Sequence, residues 1–124
     1  MKNYRDLEVF QRAYRLAIEI HILSLKLPRE LQFDLADQIR RAARSIPSNM
    51  AEGYGRNKSP KDIESYLRIS LGSNDEVLFN LEFLEDVKYV PVKEYERLRD
   101  EYIICGKQLT NLIRSLTSNQ KTSN

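Results

Sequence analysis

The segment LEVFQRAYRLAIEIHILSLKL, residues 7–27, decides the fold because its apolar side chains recur at helical spacing on more than one face. A surface helix normally carries one apolar stripe, which faces the core. The segment predicts a helix that is covered on more than one face, with Asp6 as its N-cap and Pro28 as its end. The first stripe contains Val9, Ala13, Leu16, Ile20, Leu23 and Leu27, and the second contains Leu7, Phe10, Tyr14 and Ala17, beside Ile18, Ile22 and Leu25.

Three further segments also have the apolar spacing of helices. The second helix is predicted over residues 32–52, where Pro47 is expected to kink or break it. The third is predicted to begin at Ser59-Pro60, because a serine N-cap often precedes a proline at the first helical position. The fourth is predicted over residues 92–116, whose apolar residues keep the three- and four-residue spacing of a bundle seam.

The four segments together predict an all-α protein. Helices of similar length joined by short connections favour an antiparallel up-down-up-down four-helix bundle, placed here over residues 1–118 and followed by a disordered polar tail over residues 119–124. Gly72 and Ser73 lie in the middle of the third helix, where small side chains are expected to permit the close approach of another helix. No pattern indicates a second domain.

Composition limits the cellular setting. The net charge is only +2, but residues 1–58 hold eleven basic and seven acidic side chains, so the positive excess lies in the first half. The lone cysteine, Cys105, cannot form an internal disulfide, which suits a reducing compartment. No apolar run is long enough to cross a bilayer, and the N-terminus lacks the apolar core of a signal peptide. We therefore expect a cytoplasmic protein with no membrane partner.

The usual constellations of enzyme active sites are absent from the sequence. His21 is the single histidine, and Ile18 occupies the position that glutamate would need for the Glu-x-x-His motif of di-iron bundles. Residues 53–56 lack the length and the lysine of a phosphate-binding loop. Cys105 on the seam of the fourth helix is interpreted as a small buried apolar side chain. We expect no enzyme activity, no cofactor, no metal and no small-molecule substrate.

The segment 38–58 is the most distinctive part of the chain, with three arginines within five residues. Two interpretations remain open. The arginines could pair with carboxylates of neighbouring helices and fix the register or the subunit contact; the candidate partners are Glu52, Asp62, Glu64, Asp75 and Glu76. Alternatively they form a phosphate-binding face, which would fix the position of a nucleic acid without reading its sequence. The candidate nucleic-acid-binding residues are Arg40, Arg41, Arg44, Arg56 and Lys58.

Three motifs carry a resemblance to a known family: YRDLEVFQRA at 4–13, QIRRAARSIPSNMAEGYGR at 38–56 and LGSNDEV at 71–77. In their order the chain resembles the four-helix-bundle proteins encoded within intervening sequences of bacterial large-subunit ribosomal RNA genes. The resemblance implies an antiparallel four-helix bundle that assembles into a ring, as a homopentamer. It brings no known reaction, and binding to RNA is suggested by the location of the genes.

The predicted first helix has more apolar surface than a lone bundle can cover, and monomers rarely expose large apolar patches. Copies of the chain in a closed ring would cover this surface on every subunit. The candidate oligomer-interface residues are Leu7, Phe10, Tyr14, Ile18, Ile22 and Leu25. The functional hypothesis is a homo-oligomer that binds RNA or a nucleoprotein weakly, and the alternative is a protein–protein interaction scaffold that binds no nucleic acid.

Overall fold

The structure is a computed structural model that describes residues 3–122, and the side chains of residues 3–118. This part of the chain is all-α, with four helices and no strand. The helices are α1 (Glu8–Leu25), α2 (Leu35–Gly53), α3 (Pro60–Asp86) and α4 (Val92–Thr122), and two 3-10 helices cover Tyr4–Asp6 and Arg29–Leu31. Over the described residues, no helix combines the length and the apolar character that a membrane crossing requires.

The starts of α1 and α2 differ from the sequence-based predictions because a 3-10 helix precedes each of them. Asp6 lies in the first 3-10 helix, which Asn3 caps by accepting a hydrogen bond from the Arg5 amide at 2.8 Å. Leu7 therefore becomes the N-cap of α1, with no side-chain hydrogen bond, and the prediction of Asp6 as the cap is wrong. The second 3-10 helix delays the start of α2 to Leu35.

The predicted start of α3 is confirmed, whereas Pro47 does not break α2. The Asp62 amide donates to the Ser59 hydroxyl and the Ser59 amide donates to the Asp62 carboxylate, so a capping box precedes Pro60 at the first helical position. Pro47 is buried within α2, which continues from Leu35 to Gly53.

The core consists of one face of each helix, as the apolar spacing predicts. Every residue of the first apolar stripe, from Val9 to Leu27, is buried, and so are the central residues on the apolar faces of α2 and α3. In α4 the buried face shifts near its end, where Ile113 is buried while Leu112 and Leu116 are partly exposed. The largest fully buried side chains include Tyr102, Leu16, Ile20, Ile39, Ile46, Met50, Leu67, Leu81, Leu84, Leu98 and Leu109.

Contacts between neighbouring helices run in opposite directions along the chain. From Ser45 to Gly53 in α2, the contacts in α3 move back from Ser73 to Tyr66. The order of contacts is α1 with α2, α2 with α3, α3 with α4, and a smaller contact between α4 and α1. This pattern is compatible with the antiparallel up-down-up-down arrangement that the sequence predicts.

Small residues permit close helix packing, but not at the predicted glycine. A Cβ atom added at Gly72 would meet nothing within 4 Å, so of the predicted pair Gly72-Ser73 the glycine provides no close approach to another helix within the described residues of one chain. Its neighbour Ser73 does contact α2, with its hydroxyl 2.7 Å from the Ser45 hydroxyl. The close approach occurs at Gly53, where an added Cβ would lie 2.8 Å from Cβ of Tyr66.

The helix α4 extends past the predicted end of the bundle. It runs to Thr122 and so includes residues 119–122 of the segment predicted to be a disordered tail. Residues 123 and 124 lie outside the described residues. The division of the chain at residue 118 stays a prediction.

Candidate nucleic-acid interface

Arg40 is directed toward the chain itself. Its guanidinium donates to the Ser24 hydroxyl at 2.8 Å, to the Gln32 side-chain oxygen at 3.1 Å and to the Gln32 carbonyl at 3.1 Å. The side-chain amide of Gln32 in turn donates to the backbone carbonyls of Ser24 and Leu27, at and just beyond the end of α1. Arg40 thus connects the end of α1 to α2.

Arg41 is exposed and carries a local ion pair. Its Nε lies 3.0 Å from a carboxylate oxygen of Asp37, one turn earlier in α2. An exposed pair of this kind contributes only about 0.3–0.5 kcal/mol, so Arg41 could exchange Asp37 for another anion at small cost. Neither Arg40 nor Arg41 contacts the carboxylates of other helices that the sequence offered as partners.

Arg44 and Arg56 are exposed, and no hydrogen bond or ion pair engages them within residues 3–118. Lys58 is partly buried, with its ammonium 5.0 Å from the centre of the Tyr66 ring in a cation–π contact. The hydrogen bond from the Ser59 amide lowers the pKa of Asp62, and Lys58 adds to this effect. The ionised Asp62 partly offsets the charge of Lys58, so Arg44 and Arg56 are the least neutralised of the five predicted residues.

Arg44 lies on a groove that the sequence analysis did not identify, here called the α1–α2 groove, with a volume of about 450 Å³. One exposed face of each helix forms a wall, and the first 3-10 helix closes one end. The helical spacing of the residues on each wall can be read from the sequence. The packing of the N-terminal residues Tyr4 and Arg5 against the groove cannot. The lining residues are Tyr4, Arg5, Phe10, Tyr14, Ala17, Ile18, His21, Arg44, Pro47, Ser48 and Ala51.

Aromatic rings form a continuous cluster at the closed end of the groove. The Tyr4 ring packs edge-on against Phe10, with 5.0 Å between the ring centres, and stacks parallel to the Tyr54 ring, with 6.4 Å between the centres. The ring centres of Phe10 and Tyr14 are 6.0 Å apart. Burial raises the pKa of Tyr54. Tyr54 follows the last residue of α2, so the cluster extends from the groove to the turn that carries Arg56.

The predicted oligomer-interface residues divide into two groups in a single chain. Phe10 is buried, and Leu7 packs partly buried against the core. Tyr14, Ile18, Ile22 and Leu25 remain between 50% and 59% exposed, and we call these four residues the α1 stripe. The bundle of one chain therefore leaves the α1 stripe uncovered.

The single histidine and the single cysteine lie in different surroundings. His21 lies exposed at the rim of the groove. Burial raises the pKa of the Cys105 thiol to about 12, so very little reactive thiolate forms at neutral pH. Among residues 3–118 no three His, Cys, Asp or Glu side chains lie close enough together to hold a metal ion.

Comparison with known proteins gives a family and a structural relative. Residues 5–111 match the model of the 23S rRNA-intervening sequence protein family. No curated protein matches the chain. A protein of unknown function from the S23 ribosomal protein family of Bacteroides thetaiotaomicron VPI-5482 has a similar crystal structure, with a TM-score of 0.79 and 27% identity over 86% of this chain and 95% of that one. The four-helix fold and the match over most of its length show that the chain belongs to the 23S rRNA-intervening sequence protein family.

Proposed function

We propose that the protein is a cytoplasmic, non-enzymatic antiparallel four-helix bundle that assembles into a homo-oligomer and binds RNA or a nucleoprotein weakly. The observation that carries the RNA part is a pair of exposed arginines, Arg44 and Arg56, which no hydrogen bond or ion pair engages within residues 3–118. The name of the family, which refers to intervening sequences of 23S rRNA, makes RNA the first partner to test.

The α1 stripe supports assembly. Its four side chains are about half exposed in one chain and follow one another at helical spacing, so they form a continuous apolar surface. A head-to-tail contact that buries the Ile22 and Leu25 end of this surface on each copy, beyond the residues Tyr14 and Ile18, can close into a ring. The resemblance noted from the sequence favours five subunits, and we propose a homopentamer.

Native mass spectrometry and a single charge test the assembly. Ile22→Asp adds a carboxylate to the part of the stripe that lies outside the lining of the α1–α2 groove, where the native side chain is 52% exposed. We expect the wild type to form one closed oligomer, and the variant to be a monomer with an unchanged helical circular dichroism spectrum. A wild type that is monomeric at micromolar concentration would contradict the proposal.

The free arginines predict binding that depends on salt. Each phosphate contact to a single strand releases a counterion, so the logarithm of affinity falls with the logarithm of salt concentration by about 0.7 per contact. We expect the affinity for a labelled single-stranded RNA, measured by fluorescence anisotropy, to fall as salt rises. Arg44→Ala and Arg56→Ala should each weaken binding and reduce the slope, and should leave the oligomer intact.

Two further variants separate this interface from other arginines. Arg114→Ala, an exposed arginine on α4, removes the same charge elsewhere and should have little effect. Arg40→Ala should lower stability instead, because it removes three internal hydrogen bonds. If the wild type shows no salt-dependent affinity for RNA, the RNA part of the proposal fails.

Exposed aromatic residues favour the second candidate, a protein–protein scaffold without nucleic-acid binding. Phe33, in the connection between α1 and α2, is 96% exposed, and Phe79 on α3 is 66% exposed. Such side chains are common anchors of protein interfaces. This candidate predicts that a Phe33→Ser, Phe79→Ser double variant loses one stoichiometric protein partner and that RNA affinity is absent at every salt concentration.

A further inference from the structure

The α1–α2 groove combines apolar walls with charge of one sign. Arg5 and Arg44 line it together with His21, and no aspartate or glutamate does. Neither arginine has a carboxylate partner within residues 3–118; Arg5 lies 5.3 Å from the centre of the Tyr4 ring. The groove therefore complements a ligand that is flat and apolar in one part and anionic in another.

A second groove, between α3 and α4, differs in this respect. It has a similar volume of about 480 Å³ and also carries basic side chains, Lys107 and Arg114. Asp75 lies in its lining, and its aromatic residue, Tyr102, is fully buried. This second groove offers neither unopposed positive charge nor an accessible ring, which makes it a suitable internal control.

We propose that the α1–α2 groove binds an unpaired base of single-stranded RNA, with Arg5 and Arg44 contacting the phosphates on either side. The inference rests on the proposed RNA binding and specifies its site and the form of RNA. Unstacked bases are recognised by aromatic side chains and arginines, and this stacking tolerates any base sequence. Tyr14 offers the ring, since it is 54% exposed and lines the groove.

The aromatic cluster extends this site toward the turn after α2. Tyr4 lies between Arg5 in the groove and Tyr54 at the end of α2, and Arg56 follows two residues later. Arg5 and the rings of Tyr4 and Tyr54 thus continue from the groove toward the turn that carries Arg56. Grooves that combine basic and aromatic side chains track the backbone of a single strand. A duplex keeps its bases stacked inside and could use the arginines only.

A second copy of the chain that pairs through the same face is a poorer ligand for this groove than an anion. Such a symmetric contact would place Arg44 of one copy against the same cationic groove of the other. Like charges facing each other oppose association. The positive charge on the groove therefore favours an anionic ligand over a symmetric partner, and the head-to-tail contact proposed above lies beyond the groove, at Ile22 and Leu25.

The test compares single-stranded and duplex RNA. A labelled oligouridylate of about ten nucleotides, which is within the usual site size for single strands, and a duplex of the same length are titrated by fluorescence anisotropy. We expect the single strand to bind more tightly. Tyr14→Ala should weaken single-strand binding about tenfold through lost stacking and should leave duplex binding unchanged, whereas Tyr14→Phe should retain wild-type affinity for both.

A groove-filling variant gives an independent measurement, because Tyr14 also belongs to the α1 stripe. Ser48 lies exposed on the α2 wall, outside that stripe, so Ser48→Leu fills the groove without removing a ring or a charge. It should abolish the preference for single strands and keep the salt-dependent duplex binding. Thr110→Leu, in the α3–α4 groove, is the matched control and should change neither affinity.

The possible outcomes separate this inference from the proposed function. If Tyr14→Ala and Ser48→Leu leave single-strand affinity intact while Arg44→Ala and Arg56→Ala reduce it, the groove inference is overturned and RNA binding stands. If Ser48→Leu changes the subunit number in native mass spectrometry, the groove is a subunit contact and the inference is overturned. If neither RNA binds, the proposed function and the inference both fail.

Discussion

The contact between α2 and α3 and the contact between α1 and α4 use different chemistry. Of the contacts between neighbouring helices, the first is the most extensive and the second the smallest. At α2–α3 the backbones approach closely at Gly53, and the buried Ser70 hydroxyl donates to the Ile46 carbonyl at 2.8 Å. At α1–α4 ion pairs join the two helices: Arg12 and Arg15 both pair with Glu101, and Arg97 pairs with Glu19.

The difference indicates where the molecule can adapt. Close apolar packing tolerates little change in volume, whereas ion pairs at a surface contribute modestly and can rearrange. The helix α1 has its charged contact on one side, the α1–α2 groove on the other and the α1 stripe facing outward. The proposed interfaces therefore lie around α1, while α2 and α3 supply a rigid support.

The largest effect is expected for Ile46→Ala in α2, where the side chain is fully buried. Removing a buried isoleucine costs about 2–5 kcal/mol of unfolding free energy, because it loses apolar contacts and leaves a cavity. Urea unfolding at fixed protein concentration measures this cost. Ile69→Ala on α3, where the side chain is 51% exposed, is the matched control and should change stability by less than about 0.5 kcal/mol; similar losses for both would contradict the contrast.

Gly53→Ala tests the close approach of α2 and α3. The added Cβ would lie 2.8 Å from Cβ of Tyr66, and because both atoms are bonded to backbone the helices must shift. Overpacking of this kind costs about 1–3 kcal/mol, which urea unfolding would show. The cost should persist in a Tyr66→Ala background, which keeps the Cβ. If Tyr66→Ala removes it, the ring and not the backbone approach sets the limit.

Glu101 tests the charged side of the comparison through pH. Its hydrogen bond with Arg15 lowers its pKa from the ordinary value of 4.5, and Arg12 adds to the effect. A carboxyl group with a lowered pKa stabilises the folded state above its unfolded pKa, and this contribution is lost as pH falls through the folded value. We expect Glu101→Gln to reduce unfolding free energy by about 1 kcal/mol at neutral pH.

The same substitution should flatten the pH dependence of stability below pH 4.5, the ordinary value for this carboxyl group. Glu96→Gln removes an exposed carboxylate on α4 and is the matched control. An equal change for Glu96→Gln would show that general charge, and not the Glu101 ion pairs, accounts for the effect.

The apolar faces of the helices could be predicted from sequence, because periodicity of 3.6 residues is a local property that burial then enforces. The burial of the first apolar stripe, from Val9 to Leu27, and the N-cap at Ser59 are confirmed. The N-cap of α1 was predicted one residue too early. Asp6 is a good capping residue by type, but it lies in a 3-10 helix that Asn3 caps. Competing local caps cannot be ranked from residue type alone.

The candidate interface was only partly visible for a different reason. The five basic residues lie within one segment, residues 40–58, yet Arg40 turns to Ser24 and Gln32 while Arg44 lies on the groove. Which arginine is used internally depends on how the segment between α1 and α2 folds back, and that is a tertiary property. The groove likewise requires Tyr4 to pack on Phe10, which no spacing rule predicts.

Gly72 gives the smallest and most specific test, with a sign opposite to that of Gly53. The sequence predicted a close approach at Gly72, but an added Cβ meets nothing within 4 Å and the position is exposed in the middle of α3. Alanine is more favourable than glycine in a helix interior by up to about 1 kcal/mol, so Gly72→Ala should raise the midpoint of urea unfolding. The position also lies on the outer face of α3, where a neighbouring subunit could pack. If Gly72→Ala is more stable and keeps its subunit number, Gly53 and not Gly72 is where helices pack closely. If the variant loses the oligomer, Gly72 is where two copies of the chain pack closely.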